Sequence, residues 1–223
     1  MLDQMNPIAP ATDVHCHILP GLDDGAQSMD EAVELARRLA GFGFRKAVCT
    51  SHRTFLYRNT PSSVTEACHA LRDELDKAGI DLELVPSMEY RLIPETWPEV
   101  LEKGWILPWE GNHILVELPI HDPTKTGNIV PEDEIRRLVK DGLQPVLAHP
   151  ERYLYLDMDR YLSLKEAGAL FQRNVGSLEG MYGTAVSRRA GTLEAAGLFD
   201  IIGTDLHSTR YADFFERIGF QVR

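Results

Sequence analysis

The sequence predicts an α/β fold in which seven parallel strands close into a TIM-like barrel, and three observations lead there. Apolar, strand-like runs alternate with helical segments through the whole chain, the order that gives a parallel sheet with crossover helices. The runs end near positions 17, 52, 89, 117, 149, 174 and 205, and most of these ends carry a histidine, a glutamate or an aspartate. Strands of one barrel share a carboxyl-end mouth, where barrel enzymes keep their chemistry, so inward-pointing ligand-type side chains favour closure over an open sheet. At 223 residues, with no internal repeat, low-complexity stretch or long linker, residues 1–223 read as a single domain.

Each element follows from local signals. The first run ends at Val14-His15-Cys16-His17. Ser28-Met29-Asp30-Glu31 is a capping box, followed by an apolar stripe of Ala32, Val33, Leu35, Ala36 and Leu39, and Gly41 and Gly43 stop that helix. The second run ends at Ser51-His52. Thr60-Pro61 then starts a helix with Val64, Ala67, Cys68, Leu71 and Leu75 on one side and Gly79 at its end. The third run ends at Met88-Glu89 and a short, less regular helix covers Pro94 to Lys103; the fourth ends at Val116-Glu117. Pro131 opens a helix whose Glu132, Asp133 and Glu134 suit the positive end of its dipole. The fifth run ends at Ala148-His149, helices cover Tyr161 to Ala167 and Ala185 to Ala196, and the last run leads into Gly203-Thr204-Asp205-Leu206-His207.

Composition sets the outer limits. Lys plus Arg number 23 against 34 Asp plus Glu, a net charge of −11, which argues against non-specific nucleic-acid binding because that is mostly phosphate neutralisation. Met1 to Pro10 has no signal-peptide pattern, and no apolar run approaches a membrane span, so the expectation is a cytoplasmic protein without membrane insertion. Cys16, Cys49 and Cys68 are an odd count without metal-type spacing, so no disulfide framework is expected; Cys16 and Cys49 read as small buried hydrophobes. Oligomeric state leaves no mark in the sequence.

His15 and His17 are two apart in a strand and project from one face. Imidazoles and carboxylates are the usual donors for first-row divalent metals. An isolated His-x-His is weak evidence; joined to Glu89, Glu117, His149, Asp205 and His207 at other strand ends, it points to a polynuclear metal site. His69 reads as a solvated helix-face residue and His113 has no partner pattern. His121 lies in a loop after Glu117 and is read as outside the site.

These motifs resemble the polymerase-and-histidinol-phosphatase (PHP) superfamily of phosphoesterases, and within it the bacterial tyrosine-protein phosphatase branch of CpsB/YwqE type, associated with capsular polysaccharide. The resemblance rests on the segment His15 to Gly25 (HCHILPGLDDG), on Leu115-Val116-Glu117-Leu118-Pro119, and on Pro145 to Tyr153 (PVLAHPERY). Gly176-Ser177-Leu178-Glu179-Gly180 and Gly203 to His207 continue it nearly to the end of the chain. It implies a distorted (β/α)7 barrel, the PHP fold, holding three divalent ions, manganese by family habit, with iron or zinc as options. His15, His17, Glu89 and Asp205 would hold one ion, with Glu89 bridging to a second completed by Glu117 and His149. His52 and His207 would hold the third with a carboxylate from Asp23-Asp24, Asp24 being preferred. The implied activity is hydrolysis of a phosphotyrosine protein, namely an autophosphorylated bacterial tyrosine kinase of polysaccharide export, by direct attack of a metal-bound hydroxide. Arg152 and Arg210 are the expected phosphate-contacting residues, and no thiol nucleophile is expected. For Arg152 the plain alternative is a salt bridge to Glu151 or to a rim carboxylate.

Three departures from the branch pattern stand out: Ser51 and Arg53 flank His52, and Ser208 follows His207. Arg53 is expected to add positive charge beside the site. Tyr57, Tyr90, Tyr153, Tyr155 and Tyr182 either line an open phosphotyrosine site or belong to the core. Two other functions stay open: a phosphatase of a small metabolite such as histidinol phosphate, and a metal-bound regulatory protein with weak catalysis.

Overall fold

Strand formation here is driven by apolar runs buried on both faces, which only a parallel sheet wrapped by helices satisfies. The computed structural model describes residues 11–222, so the reading of Met1 to Pro10 lies outside the described residues. The elements are β1 (Thr12–Cys16), α1 (Met29–Gly41), β2 (Lys46–Arg53), α2 (Pro61–Lys77), β3 (Glu83–Arg91), α3 (Trp97–Lys103), β4 (His113–Glu117), α4 (Pro131–Lys140), β5 (Gln144–Ala148), α5 (Met158–Glu166), β6 (Leu170–Asn174), α6 (Thr184–Ala195), β7 (Ile201–Gly203) and α7 (Thr209–Arg217). The seven strands lie side by side in sequence order, and every pairing is parallel. The last helix, α7, carries no distinctive signal in the sequence and emerges from the structure. Among the described residues, no helix is long and apolar enough to cross a membrane.

The ring closes between β1 and the end of β7. Asp205 N–H donates to His15 O at 2.7 Å and His17 N–H to Leu206 O at 2.9 Å. Beneath these bonds, the buried Asp13 carboxylate accepts the Thr204 N–H at 2.9 Å and its hydroxyl at 2.6 Å. Burial raises the Asp13 pKa to about 6 against these hydrogen bonds. The barrel is nearly closed, with this seam as its thinnest part.

Two apolar layers follow from strand alternation. Val14, Val48, Trp109, Leu115, Val146, Ala148 and Ile201 form a compact cluster inside the barrel, while Cys16, Cys49, Leu84, Tyr90, Ile114, Leu147 and Phe171 pack outward against the helices. Along β2 the alternation places Val48, Thr50 and His52 on the inner face, and along β3 Val85, Ser87 and Glu89. A register shift between Asp13 and Cys16 lets β1 place Val14 in the lumen and Cys16 outside it. The polar strand ends therefore stand on a buried apolar floor, where charges interact more strongly than in water.

The helices begin at the mouth as their caps dictate. Ser28 accepts from Glu31 N–H at 3.2 Å, but the Glu31 carboxylate bonds Gln27 N–H instead of completing the capping box. Thr60 and Ser63 do form a reciprocal box at the start of α2.

Candidate metal centre

Glu89, the seventh residue of β3, stands at the centre of the mouth and is fully buried. Its Oε2 lies 3.5 Å from His15 Nε2, 3.5 Å from His17 Nε2 and 2.8 Å from His52 Nδ1, and its Oε1 lies 3.3 Å from His149 Nε2. Asp205 Oδ1 completes the first group, 3.3 Å from His15 Nε2 and 3.6 Å from His17 Nε2, and those two nitrogens are 3.1 Å apart. Donors bound to one ion at roughly 2.0–2.2 Å have mutual separations of this size. Glu117 Oε1 faces His149 Nε2 at 3.7 Å. On the outer side, Asp24 Oδ1 lies 3.4 Å from His52 Nε2 and 3.8 Å from His207 Nε2. The structure thus brings together all nine residues read from the sequence as metal ligands.

Neighbouring side chains aim these donors. His15 Nδ1 bonds Gln172 Oε1 at 2.8 Å and His17 Nδ1 bonds Asp23 Oδ2 at 2.9 Å, so Nδ1 carries the proton and Nε2 is the free donor atom on both rings. Asp23 Oδ2 also accepts the His52 N–H at 2.9 Å, which makes Asp23 an orienting residue and leaves the half-exposed Asp24 carboxylate facing His52 and His207. Gly25 allows this: a Cβ there would lie 1.9 Å from His17 O, so only glycine lets the loop tuck Asp23 under the ring. His149 and Asp205 follow their strands with φ of 33° and 54°, a left-handed backbone that non-glycine residues rarely adopt outside functional sites.

Electrostatics show a cluster short of positive charge. Burial pushes the Glu89 carboxyl up, but the charges of His15 and His52 together outweigh it and hold Glu89 well below the usual carboxylate range. Burial lowers His15 and His52, yet Glu89 and other acids carry them to about 9 and about 10. Burial and the neighbouring His207 and His52 lower His17 to about 4. Neither Glu89 oxygen receives a well-formed hydrogen bond. Without a metal, this buried carboxylate is offset only by protonated imidazoles, and divalent cations among these oxygen and imidazole donors would take over that role. The donor set fits the implied metals.

Around the donors lie residues the sequence reading missed. Arg91 Nε bonds Glu117 Oε2 at 2.6 Å; its signal was its place two residues after Glu89 on the same strand face. Asn174 Nδ2 donates to Asp205 Oδ2 at 2.7 Å, and Tyr211 packs 5.6 Å from the His207 ring. Strand β6, whose end carries no ionisable ligand, contributes the amides Gln172 and Asn174.

Other expectations change. Arg152 Nη1 lies 3.2 Å from Asp205 Oδ2 with its guanidinium 4.8 Å over the Tyr182 ring; Glu151 turns away to Asn174 N–H and Ser177 Oγ. Arg152 therefore stands at the rim of the cluster. Arg210 is exposed on α7, in a groove with Asp213, Glu216 and Arg217, and no ion pair joins it to the cluster among the described residues. Arg53 does not add charge to the site: strand alternation turns it outward, buried, to bond Glu99 and to lie over Trp105. Tyr90 and Tyr153 are fully buried with hydroxyls bonded to backbone, so both are core residues, and Tyr155 bonds Pro119 O. Tyr57, stacked on His52 at 5.9 Å and 12°, and Tyr182 belong to the mouth. His69 and His121 are exposed, and His113 stacks on Trp109 at the far end of β4.

Comparison with known proteins agrees with this geometry. The family model described as capsular polysaccharide synthesis, CpsB/CapC, matches residues 11–213. Tyrosine-protein phosphatase YwqE of Bacillus subtilis is 31% identical over 206 residues, covering 91% of this chain and 79% of its own. The putative tyrosine-protein phosphatase CapC of Staphylococcus aureus is 28% identical, covering 95% and 82%. A solved structure, described as YwqE from Bacillus subtilis and CpsB from Streptococcus pneumoniae, unique metal-dependent tyrosine phosphatases, superposes with a TM-score of 0.79 at 32% identity over 90% of this chain and 81% of that one.

Proposed function

Because this chain belongs to the CpsB/CapC capsular polysaccharide synthesis family, we propose that it is a metal-dependent protein-tyrosine phosphatase, one catalytic domain over residues 1–223. The observation that carries the reading is Glu89: a fully buried carboxylate faced by four imidazoles, with a guanidinium at the rim of the same cluster. The finer reading assigns three ions, of manganese type, to the groups His15-His17-Glu89-Asp205, Glu89-Glu117-His149 and Asp24-His52-His207. The substrate is an autophosphorylated tyrosine kinase of polysaccharide export. The proposed compartment is the cytoplasm, where the free thiols of Cys16, Cys49 and Cys68 stay reduced.

Divalent ions held by these residues would supply Lewis acidity, lowering the pKa of water and neutralising charge on a phosphoryl group. The protein's own residues do the rest. Gln172 and Asp23 keep the Nε2 lone pairs of His15 and His17 pointed inward. Arg152 spends one N–H on Asp205 and presents its remaining donors to the mouth, where a guanidinium fork suits phosphate oxygens. Tyr57 and Tyr182 give the mouth aromatic walls that accept a phenyl ring. No thiol takes part: Cys16 Sγ points to Val48 O behind the strand, and burial raises its pKa.

The test is turnover of phosphotyrosyl peptides and small phosphate esters with manganese and with chelator. Chelator-sensitive hydrolysis favouring phosphotyrosine is the expected result. Turnover of small esters alone would remove the protein-phosphatase reading.

A further inference from the structure

Most of the large apolar side chains that the fold leaves exposed stand at the mouth. Of the seven among the described residues, four lie in loops that follow strands: Phe55 and Leu56 after β2, Val130 after β4, and Leu154 after β5. Phe55 and Leu56 are the most exposed, at 58% and 68%. Exposed apolar side chains scattered singly are ordinary, but two adjacent ones on a rigid support beside a catalytic site are not.

The support is specific. Thr54 N–H donates to Tyr57 O at 3.0 Å, and the Thr54 hydroxyl accepts the N–H groups of Leu56 and Tyr57 at 3.2 Å each. Arg53 and Arg58 pair as an antiparallel bridge below, and Asn59 Nδ2 donates to His52 O and Leu22 O at 2.9 Å. The turn is thus a small hairpin braced by Thr54, and Phe55 and Leu56 are its tip. The next residue, Tyr57, stacks on His52, so the tip is fixed relative to the cluster.

We infer that this turn is a docking element for the residues flanking phosphotyrosine in a protein substrate, with Phe55 and Leu56 gripping apolar side chains next to it. The inference rests on the phosphatase reading and deepens it. A phosphotyrosyl side chain entering the mouth carries its backbone across the rim. In an extended segment, neighbouring residues are about 3.3 Å apart, within reach of a tip one residue from the Tyr57 wall. An extended peptide supplies the apolar cover that the tip lacks within the fold.

The experiment uses the metal-loaded protein and its Phe55→Ser/Leu56→Ser variant. The substrates are 4-nitrophenyl phosphate, a phosphotyrosyl peptide with apolar flanks, and the same peptide with Ser and Gly flanks. The expected result is a fall in kcat/KM of about tenfold or more on the apolar peptide, mostly through KM, the size expected when one or two apolar contacts are lost. Turnover of 4-nitrophenyl phosphate and of the Ser/Gly peptide should stay unchanged. Equal kinetics of variant and parent on all substrates would overturn the proposal. An equal loss on all three would overturn it as well, because the turn would then merely hold Tyr57 and His52 in place. A change in particle size by sedimentation with unaltered peptide kinetics would make the tip a contact between copies and also overturn it. Parent protein that hydrolyses 4-nitrophenyl phosphate but neither peptide would instead remove the protein-phosphatase reading, and this proposal with it.

Discussion

Arg91 and Glu117 are register partners on β3 and β4, and the 2.6 Å bond between Arg91 Nε and Glu117 Oε2 leaves Oε1 as the oxygen facing His149. The guanidinium thereby decides which oxygen of Glu117 is offered to a metal. Arg91→Met should lower metal affinity or activity about 10- to 100-fold, the usual cost of losing an outer partner of a ligand. Metal titration alongside kinetics checks this. Unchanged metal binding with a raised KM would reassign Arg91 to phosphate contact.

Glu89→Gln should reduce both activity and bound metal, because this carboxylate faces four imidazoles and a neutral amide is a much weaker metal donor. The expected loss of kcat is at least about a hundredfold. Full activity with full metal content in this variant would refute the assignment of Glu89.

The chelated protein should lose stability as pH rises above about 6.5. His15 and His52 have folded pKa values of about 9 and about 10, above the ordinary histidine value, so the folded state holds more protons than the unfolded one in that window. Their contribution is complete below pH 6.5 and disappears as pH passes through those values. His17, lowered to about 4, acts in the opposite sense but only below about pH 6.5. Thermal unfolding in chelator at pH 6.5, 7.5 and 8.5 should show a falling Tm. Added metal, which displaces those protons, should bind more tightly as pH rises.

Cys16→Ser should keep catalysis. The thiol is buried on the outer side of β1, so kcat/KM should stay within about threefold and stability should fall by about 1 kcal/mol. Complete inactivation of a folded, metal-loaded variant would contradict a mechanism without a thiol.

The strand-end reading worked where a residue's direction follows from its own strand. His52 and Glu89 sit at inner positions of long, regular strands, so alternation alone points them to the mouth. Applied to its neighbour, the same rule sends Arg53 outward to Glu99, and the expectation of charge beside the site overlooked it. Arg210 could not be placed from the sequence for a different reason: it lies on a short helix whose orientation no local pattern fixes, and the structure leaves it exposed. Between Asp23 and Asp24 the sequence favours Asp24 only weakly, because their separate roles depend on Gly25 letting the loop pack against His17.

The sequence by itself determined the alternating β/α order, and with it the convergence of His15, His17, Glu89, Glu117, His149, Asp205 and His207 at one mouth. Period-two alternation and parallel connectivity are properties of the chain's own pattern. Only the tertiary structure decided which atoms those residues offer. Gln172 on β6 meets His15 on β1 over Gly203 of the intervening β7, and Arg91 meets Glu117 across a strand pair. Such contacts join positions up to 157 residues apart, and a hydrogen bond of that kind is set by barrel closure and register, which no local pattern in the sequence encodes.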